Sequence, residues 1–463
     1  MKTPFLVIGG GLSGIAAAIR AARFTPDVLL VEKHSRIGGL NSYFYRNSVL
    51  YETGLHAITN YAEPKEKRAP LNRLFRQLKI RRKNLTFCQQ YQSEVVFTNG
   101  ETIRFSNDFG LFEADVCTTF PKSADKFRSL VTFIEDFDPF LPSPFRSARN
   151  FLNELLSDTI LTDMILCPLM FYGSSHEQDM DLNQFAIMFR AIFLEGMFRP
   201  EGTIKDFLDL LATHYEQLGG TLRKSCGVEK ILHKNGHIRG VELQSGEFIE
   251  CDNILSTIGH LETLKLLSPK SQAVPHEKTR LGFVETIYRV ENTEDLNIPQ
   301  NKTIIFYSKG NEFNYKKPVD YVDFSSGVIC FPSHFHGLSP QSHIEIRSTH
   351  LANYDKWASL YQDPDKYKLQ KETTSQLSSQ QLTNLIGSFR ANIVYENTFT
   401  PITIERYTSK IDGAIYGSPA KIPDGDIGFS NLFLAGTDQG FLGIIGSMLS
   451  GVSIVNQHVL PKL

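Results

Sequence analysis

The sequence VIGGGLSGIAAAIRAAR at residues 7–23 decides the fold. It begins in an apolar run, ends in an alanine-rich segment and contains Gly9-x-Gly11-x-x-Gly14, so the glycines lie where a buried strand turns into a helix. Gly9 permits the tight turn, Gly11 lets a pyrophosphate approach the backbone, and Gly14 lets helix and strand pack closely. The free N–H groups at the start of the helix favour a bound phosphate. This stretch therefore predicts a Rossmann-type dinucleotide site.

The next segment supplies the second half of the same site. An apolar strand at residues 28–31 ends in Glu32, where a carboxylate can accept hydrogen bonds from an adenosine ribose. Arg36-Ile37-Gly38-Gly39 follows a few residues later. The two glycine signatures together predict noncovalently bound FAD. The sequence contains no second Gly-x-Gly-x-x-Gly, which argues against a separate NADPH site.

The order of motifs predicts how the chain is divided. With 463 residues, it is too long for one simple core. A long helical region is expected at residues 151–194, a small strand meander at 227–257, and mixed helix and strand from 281 to 400. We therefore predict an α/β fold with a discontinuous Rossmann-type FAD-binding domain (1–85, 212–280 and 405–463) and an inserted mixed α+β substrate domain (86–211 and 281–404).

Composition narrows the class of protein and its partners. The formal net charge of −2 gives no general attraction to nucleic acid, so no nucleic-acid partner is predicted. The six cysteines show no C-x-x-C spacing, which argues against a zinc site or a disulfide framework and favours a reducing, cytoplasmic location. The 34 phenylalanines, against one tryptophan, fit either ordinary core packing or a long apolar substrate channel.

The C-terminal segment 439–455 carries no formal charge. Its glycine and serine interruptions and its length argue against a membrane span. We predict a buried helix that begins near Gly443, whose N-terminal amides face the pyrimidine edge of the flavin and stabilise its reduced, negatively charged form. Asp438, which precedes the helix, is expected to accept hydrogen bonds from ribityl hydroxyls or to cap the helix.

Four segments of the chain carry a family resemblance. They are 7–42, 51–59 (YETGLHAIT), 400–417 (TPITIERYTSKIDGAIYG) and 432–451 (LFLAGTDQGFLGIIGSMLSG). The whole chain resembles the flavoprotein group of phytoene desaturases, carotenoid isomerases and retinol saturases, within the broader amine-oxidase-like class. The Gly-Thr-Asp at 436–438, followed by Gly443 and Gly446, is most similar to the retinol saturase branch.

The resemblance implies an FAD-dependent enzyme that desaturates, saturates or isomerises carbon–carbon bonds of a lipophilic isoprenoid or polyene substrate. It also implies that residues 52–56 lie beside the flavin ring. Two alternatives stay open: a flavin amine oxidase, although the Trp-Ser pair and Glu-Thr-Ala run typical of that group are missing, and a flavin-containing lipid-binding protein without turnover. From motifs and resemblance together, the predicted cofactor-binding residues are Gly9, Gly11, Leu12, Ser13, Gly14, Glu32, Lys33, Arg36, Gly38, Gly39, Leu40, Val228, Gly436, Asp438 and Ile445.

His56 is the predicted catalytic residue. It can donate a proton to the carbon opposite hydride delivery, or shape the pocket by hydrogen bonding. A buried structural histidine is the competing interpretation. Glu52 is expected to bind backbone amides of the turn through Gly54 rather than to act as a base.

Two further patterns have competing interpretations. Residues 65–83 hold nine lysines and arginines against one glutamate and carry apolar residues at helical spacing. Such a helix either docks peripherally on an anionic membrane or packs its apolar stripe against its own domain. His334 and His336, with His343 and His350 nearby, suggest a metal site, but no acid or cysteine completes the set. We therefore predict no metal and a solvated loop there.

Overall fold

A computed structural model describes residues 2–97, 100–141, 143–267, 280–293, 296, 298–310 and 312–462. The helices within these residues are α1 (Leu12–Ala22), α2 (Pro70–Leu78), α3 (Phe109–Thr119), α4 (Ala124–Asp136), α5 (Ala148–Leu156), α6 (Thr159–Gly173), α7 (Leu182–Phe189), α8 (Ile204–Gln217), α9 (His260–Leu267), α10 (Tyr354–Leu360), α11 (Pro364–Ile386), α12 (Pro401–Thr408) and α13 (Gly443–Ile454). The strands are β1 (Lys2–Ile8), β2 (Val28–Val31), β3 (Tyr43–Arg46), β4 (Val49–Glu52), β5 (Ile58–Thr59), β6 (Phe87–Gln89), β7 (Ser93–Phe97), β8 (Thr102–Phe105), β9 (Met197–Pro200), β10 (Thr221–Arg223), β11 (Val228–Lys234), β12 (His237–Leu243), β13 (Phe248–Ser256), β14 (Gly282–Glu291), β15 (Ile304–Ser308), β16 (Ser326–Cys330), β17 (His343–Ala352), β18 (Ile393–Phe399), β19 (Asp426–Phe429) and β20 (Leu432–Leu434).

The larger sheet has the Rossmann-type arrangement that the glycine turn predicts. Its strand order is β10-β2-β1-β13-β12-β11. β20 pairs with the C-terminal part of β13, on the same edge whose N-terminal part pairs with β12. The pairs β10–β2, β2–β1, β1–β13 and β13–β20 are parallel, whereas β11, β12 and β13 form an antiparallel meander. The predicted meander and its return to a parallel strand are therefore confirmed, as is the α/β fold class.

The sequence of β1 explains why it lies in the middle of this sheet. Phe5, Leu6 and Val7 are completely buried, because helices or loops cover both faces of a parallel sheet. On one face, α1 packs against the sheet and against α13. A side chain at Gly451 of α13 would lie 2.1 Å from the carbonyl oxygen of Ser13, so only glycine allows the two helix backbones this approach.

The second sheet has the order β18-β14-β17-β16-β15-β7-β8, and its pairs are antiparallel except β15 with β7. The core beside it is rich in phenylalanine; Phe112 and Phe193, for example, stack with ring centroids 4.1 Å apart. Ordinary core packing therefore accounts for many of the phenylalanines. The buried ones in this core are Phe97, Phe105, Phe112, Phe120, Phe127, Phe171, Phe185, Phe189, Phe193, Phe283, Phe306, Phe313 and Phe335.

The helical region expected at 151–194 consists of three helices, α5, α6 and α7, and a further helical turn at Arg190–Leu194. Ser157 ends α5 with a left-handed backbone, at φ 54°, and the side chain of Asp158 then caps α6 by accepting a hydrogen bond from Leu161 N at 3.0 Å. Asp181 caps α7 in the same way. Short polar side chains compete with the helix for backbone amides, so new helices begin after Asp158 and Asp181.

The basic segment 65–83 does not present its apolar stripe to a membrane. Leu71, Leu74, Phe75 and Leu78 of α2 are at most 2% exposed and belong to the core that contains α1 and α13. Membrane docking through this stripe is therefore wrong, because those side chains are already buried in the protein. The competing interpretation, a helix packed on its own domain, is correct.

The C-terminal helical run 443–462 is the one helix in the described residues that is long and apolar enough to cross a membrane. Half of it is buried inside the protein, and α13 begins at Gly443, as predicted. A buried core helix accounts for this pattern.

The division into two domains stays a prediction, and we propose that the two sheets are their cores. Strands of the larger sheet come from 1–85, 212–280 and 405–463, and those of the second from 86–211 and 281–404. Part of the segment 212–280, residues 268–279, lies outside the described residues. A small sheet, β5-β9-β6, joins segments assigned to different domains.

Candidate functional site

A cavity of about 1620 Å³ is lined by residues from both sheets. At one end it is bordered by the turn after β1, and at the other by β14, β16 and β17. The predicted site residues that line it are Gly9, Gly11, Leu12, Ser13, Glu32, Lys33, Arg36, Gly38, Gly39, Leu40, His56, Val228 and Gly436. Gly14, Asp438 and Ile445 are not among its lining residues.

The glycine turn has the geometry that a dinucleotide requires. Gly9 has a φ of +99°, which favours glycine, and its N–H donates to Val31 O at 2.9 Å. A side chain at Gly14 would lie 1.9 Å from the carbonyl oxygen of Gly9, so Gly14 lets α1 pack on the turn. A side chain at Gly11 would meet nothing within 4 Å, so the backbone there is open towards the cavity.

The start of α1 holds a buried polar atom with no partner among the described residues. The hydroxyl of Ser13 lines the cavity without a hydrogen bond, in the first turn of the helix. Buried hydroxyls are normally hydrogen-bonded, and a helix N-terminus attracts anions. The open backbone at Gly11 and the free hydroxyl of Ser13 therefore fit a pyrophosphate.

Glu32 serves the turn as well as the cavity. Its carboxylate accepts hydrogen bonds from Gly10 N at 2.6 Å and from His34 N at 2.8 Å. Each carboxylate oxygen can accept a second hydrogen bond, so Glu32 can still bind a ribose hydroxyl. The sequence predicted the ribose contact but not the bond that ties Glu32 to the glycine turn.

At the other end of the cavity, His56 forms a pair with a residue that the sequence did not single out. The Nε2 atom of His56 lies 2.8 Å from Oε2 of Glu285, and both side chains line the cavity at 17% and 12% exposure. Burial alone would raise the pKa of Glu285, but the charge and hydrogen bond of His56 and the charge of Arg347 outweigh it and lower that pKa. Glu285 is therefore an ionised acceptor, and Nε2 of His56 carries the hydrogen.

Arg347 supports this pair from the second sheet. Its guanidinium is completely buried, donates to Glu345 Oε1 at 2.6 Å and lies 3.5 Å from Glu285 Oε1. It also donates to the backbone carbonyl of Glu52 at 2.7 Å. Burial would lower the pKa of Arg347, but the neighbouring glutamates outweigh it and raise that pKa. One cation therefore joins the strand that carries Glu285 to the segment that leads to His56.

Glu52 has different partners from those expected. Its carboxylate accepts hydrogen bonds from Arg199 Nη2, at 3.0 and 3.2 Å, and from Ile204 N, at 2.6 Å, rather than from amides of the turn through Gly54. Ile204 begins α8, where free N–H groups favour a negative charge. The expected partners of Glu52 were wrong, because the actual partners, Arg199 and Ile204, lie about 150 positions away in the sequence. These contacts are structural, which agrees with the expectation that Glu52 does not act as a base.

Aromatic side chains surround the cavity near His56. Phe171, Tyr172, Phe283 and Tyr416 line it, and the ring centroid of Phe283 lies 5.8 Å from that of Tyr416 and 6.3 Å from that of Phe171. The hydroxyl of Tyr416 donates to the carbonyl of Phe171. Burial raises the pKa of Tyr172 and of Tyr416 well above the ordinary value, so both hydroxyls stay neutral. This end of the cavity suits an apolar molecule.

The start of α13 forms part of the cavity wall. Gly443 has a φ of +72° and lines the cavity with Ile444 and Ser447. The carboxylate of Asp438, which is 1% exposed, accepts hydrogen bonds from His260 N at 2.7 Å and from Ser418 N at 2.8 Å. Its contact with a ribityl chain stays a prediction. The amides that it binds belong to the first residue of α9 and to the loop that contains Ser418.

The electrostatics of Asp438 follow from those neighbours. Burial would raise its pKa, but the charges of Lys410 and Lys421 and the two backbone hydrogen bonds lower it to about 2. Asp438 is therefore ionised at neutral pH and holds the loop before α13 in place.

The histidines near the second sheet are side chains in packed surroundings. His334 is 5% exposed, stacks on Phe331 and bonds the carbonyl of Lys302 through Nδ1 at 2.9 Å. His350 is 1% exposed and bonds the hydroxyl of Tyr307 at 2.8 Å. The expectation of a solvated loop was wrong for these two, because pairing of β17 carries His350 into the core, and the turn after β16 buries His334 against Phe331.

The match to known proteins agrees with this geometry. Residues 12–453 match the family described as flavin containing amine oxidoreductase. The chain belongs to this family. FAD is accordingly its cofactor, and the chain is a flavin-dependent oxidoreductase.

Several relatives of this flavoprotein carry the names of enzymes of carotenoids and retinoids. Human all-trans-retinol 13,14-reductase is 21% identical over 100% of this chain and 86% of its own length. Prolycopene isomerase 2 from an Oncidium hybrid cultivar is 20% identical over 91% of this chain and 76% of its own length. The 4,4'-diaponeurosporene oxygenase from Staphylococcus aureus is 22% identical over 90% of this chain and 88% of its own length.

Solved structures share the fold of this flavoprotein. An oxidoreductase from Methanosarcina mazei has a TM-score of 0.68 at 17% identity, over 98% of this chain and 100% of its own. Putrescine oxidase bound to putrescine has a TM-score of 0.60 at 13% identity, over 98% of both chains. At these identities the likeness concerns the fold alone.

Proposed function

We propose that this oxidoreductase desaturates, saturates or isomerises carbon–carbon double bonds of a lipophilic isoprenoid or polyene substrate. The observation that carries the proposal is the aromatic lining of the cavity, to which Phe171, Phe283 and Tyr416 contribute together with the His56–Glu285 pair. An unactivated carbon chain needs apolar walls and few ionisable groups, because FAD, when bound, supplies the hydride transfer itself. The names of the relatives support the same substrate class.

We propose that His56 moves the proton that accompanies hydride transfer. Its Nε2 donates to the ionised carboxylate of Glu285, and Nδ1 has no hydrogen bond within the described part of the chain. In the imidazolium form, Nδ1 is then the atom that can give a proton to a substrate carbon. Glu285 is a positioning residue, because it fixes the ring and stabilises its positive charge.

The remaining residues bind FAD and exclude water. Burial of the aromatic side chains keeps water away from the reacting carbons, which protects reduced cofactor and intermediate from side reactions. The residues proposed to hold FAD are those of the predicted set that line the cavity: Gly9, Gly11, Leu12, Ser13, Glu32, Lys33, Arg36, Gly38, Gly39, Leu40, Val228 and Gly436.

The experiment is to identify lipids that copurify with the flavoprotein and then to test their turnover. The holoenzyme is extracted, its lipids are identified by mass spectrometry, and each candidate polyene is mixed anaerobically with oxidised and with reduced enzyme while the flavin spectrum is followed. We expect a polyene or its dihydro form to change the flavin redox state. The product should differ from the substrate in the number or the geometry of its double bonds.

Amines provide the contrasting arm of the same experiment. Rapid flavin reduction by amines with release of hydrogen peroxide, and none with polyenes, would replace the proposal by an amine oxidase. Tight binding of lipid without any change in lipid or flavin would instead favour a lipid-binding protein without turnover.

A further inference from the structure

Lys371 lines the same cavity as His56 and Glu285, although it comes from a different part of the fold. It lies on the 23-residue helix α11, one turn before Thr374 and Ser375, which are buried. Positions 371, 375, 378 and 382 fall on one face of a helix, so Lys371 belongs to the face that packs on the second sheet. Its side chain is partly buried.

The ammonium group of Lys371 has no partner in the described residues, unlike its neighbours on the helix. Lys366 pairs with Asp363 at 2.8 Å, and Lys368 pairs with Glu372 at 4.0 Å. No carboxylate or hydrogen-bond acceptor of the described chain reaches Lys371. Burial lowers its pKa below the ordinary value. A partly buried cation without a partner costs free energy, which a bound anion would offset.

The surroundings of Lys371 lead back to the proposed reaction centre. Asn397 and Phe399 lie on β18 and line the cavity, and Phe399 is paired in register with Glu285 on β14. Side chains two residues apart share one face of a strand, so Asn397 lies about 7 Å further along that face from Phe399. Helix α11 is held on β18 by the hydroxyl of Ser375, which donates to Glu396 at 2.7 Å, on the face of the sheet opposite Asn397 and Phe399. Because β18 is the edge strand of this sheet, Lys371 reaches the cavity round that edge.

Two tyrosines complete this part of the cavity wall. Tyr367 lies one turn before Lys371, and its hydroxyl bonds Thr400 Oγ1 at 2.6 Å. Tyr361 packs against Tyr367 with ring centroids 5.2 Å apart and is 45% exposed, so it lies at the protein surface. The cavity therefore runs from an outer part with Tyr361, Tyr367 and Lys371 to the inner pair of His56 and Glu285.

We propose that Lys371 binds a carboxylate at the end of the substrate chain, so that the substrate class is a long apolar chain with one acidic end. This inference rests on the proposed function, because the chain would extend from Lys371 past Phe399 towards His56. One negative charge suffices to balance one ammonium group, and the aromatic walls suit the rest of the molecule. The same contact would fix which double bond reaches the proton donor.

The test uses holoenzyme and a fluorescent probe, the conjugated tetraene parinaric acid, together with its uncharged methyl ester. Fluorescence titration gives both affinities, and energy transfer to FAD reports that the probe lies in the cavity. Wild type is expected to bind the acid about tenfold or more tightly than the ester, as for a hydrogen bond to a charged group. Lys371→Met should bring the two affinities together without loss of FAD, whereas Lys371→Arg should keep the preference. Lys368→Met, on the exposed face of α11, is the matched control and should behave as wild type.

The outcomes separate this inference from the function on which it rests. Equal affinities for acid and ester in wild type, or an equal loss of both in Lys371→Met, would overturn the carboxylate site and leave the polyene substrate standing. If neither probe bound wild type, the proposed substrate class would fall, and the carboxylate site with it.

Discussion

The pair formed by His56 and Glu285 gives the most direct test of the proposed chemistry. The change is Glu285→Gln, which keeps the size of the side chain and removes its negative charge. In the structure Nε2 of His56 donates to Glu285 across 2.8 Å, in a site where the carboxylate is ionised. A hydrogen bond between charged groups is worth about 1.5–3 kcal/mol. If that free energy stabilises the imidazolium during proton transfer, the reaction should slow by about 10- to 100-fold.

The assay is the single-turnover rate of the flavin absorbance change in a stopped-flow instrument, with FAD content measured for each variant. His56→Ala should lose about 10²- to 10⁴-fold, the usual contribution of general acid catalysis, and should retain FAD. Because Glu285 acts through His56, the double variant should be no slower than His56→Ala alone. This non-additivity distinguishes a positioning residue from a residue that merely stabilises the fold.

Glu345→Gln is the matched control. Glu345 also binds the guanidinium of Arg347, at 2.6 Å, but it has no contact with His56 in the described structure. It should therefore leave the single-turnover rate close to that of wild type. The reasoning would be refuted if Glu345→Gln slowed the reaction as much as Glu285→Gln, or if Glu285→Gln slowed the His56→Ala enzyme as much as it slowed wild type.

Three further variants test the remaining electrostatics. Glu32→Ala should weaken FAD binding by about 1–3 kcal/mol, as measured by titration of apoprotein, and an unchanged affinity would mean that Glu32 does not bind the ribose. The pKa of Asp438 is lowered to about 2, so above pH 4 Asp438→Asn should reduce the free energy of unfolding in urea by about 2 kcal/mol. That difference should close as the pH falls from about 4 to 2, because the native carboxylate then becomes protonated. Burial raises the pKa of Glu195 to about 7, so between pH 4.5 and 7 the native state keeps a proton that the unfolded chain has lost, and stability falls as the pH rises. Glu195→Gln, which keeps the acceptor for Asn60, should therefore be more stable than wild type at pH 8, by up to about 3 kcal/mol, and equal to it at pH 4; a variant less stable at pH 8 would contradict the assignment.

The parts of the site that the sequence predicted are local. Gly9, Gly14 and Glu32 lie within one strand–helix–strand unit, where spacing alone determines geometry. The partners of His56 and Glu52 could not be predicted in this way, because Glu285 and Arg199 are 229 and 147 positions away in the chain. Their contacts depend on how the second sheet meets the first, and no local periodicity encodes that.

The amphipathic pattern of 65–83 left two interpretations open for a related reason. A stripe of leucines and a phenylalanine on a basic helix specifies that something apolar covers it, but not what. The core around α1 and α13 covers Leu71, Leu74, Phe75 and Leu78, which are each at most 2% exposed. Helical spacing offers Lys371 no acid, since the positions three and four away hold Tyr367, Lys368, Thr374 and Ser375. Whether a distant acid reaches it depends on tertiary contacts that no local pattern encodes.

The close approach of Gly451 to Ser13 has a consequence for biosynthesis. Helix α1, which follows the phosphate-binding turn, rests against α13, which lies far later in the chain, and Gly443 at the start of α13 also lines the cavity. A nascent chain therefore cannot complete its nucleotide site before α13 has left the ribosome. A chain that stops short of residue 443 would lack that wall of the FAD site.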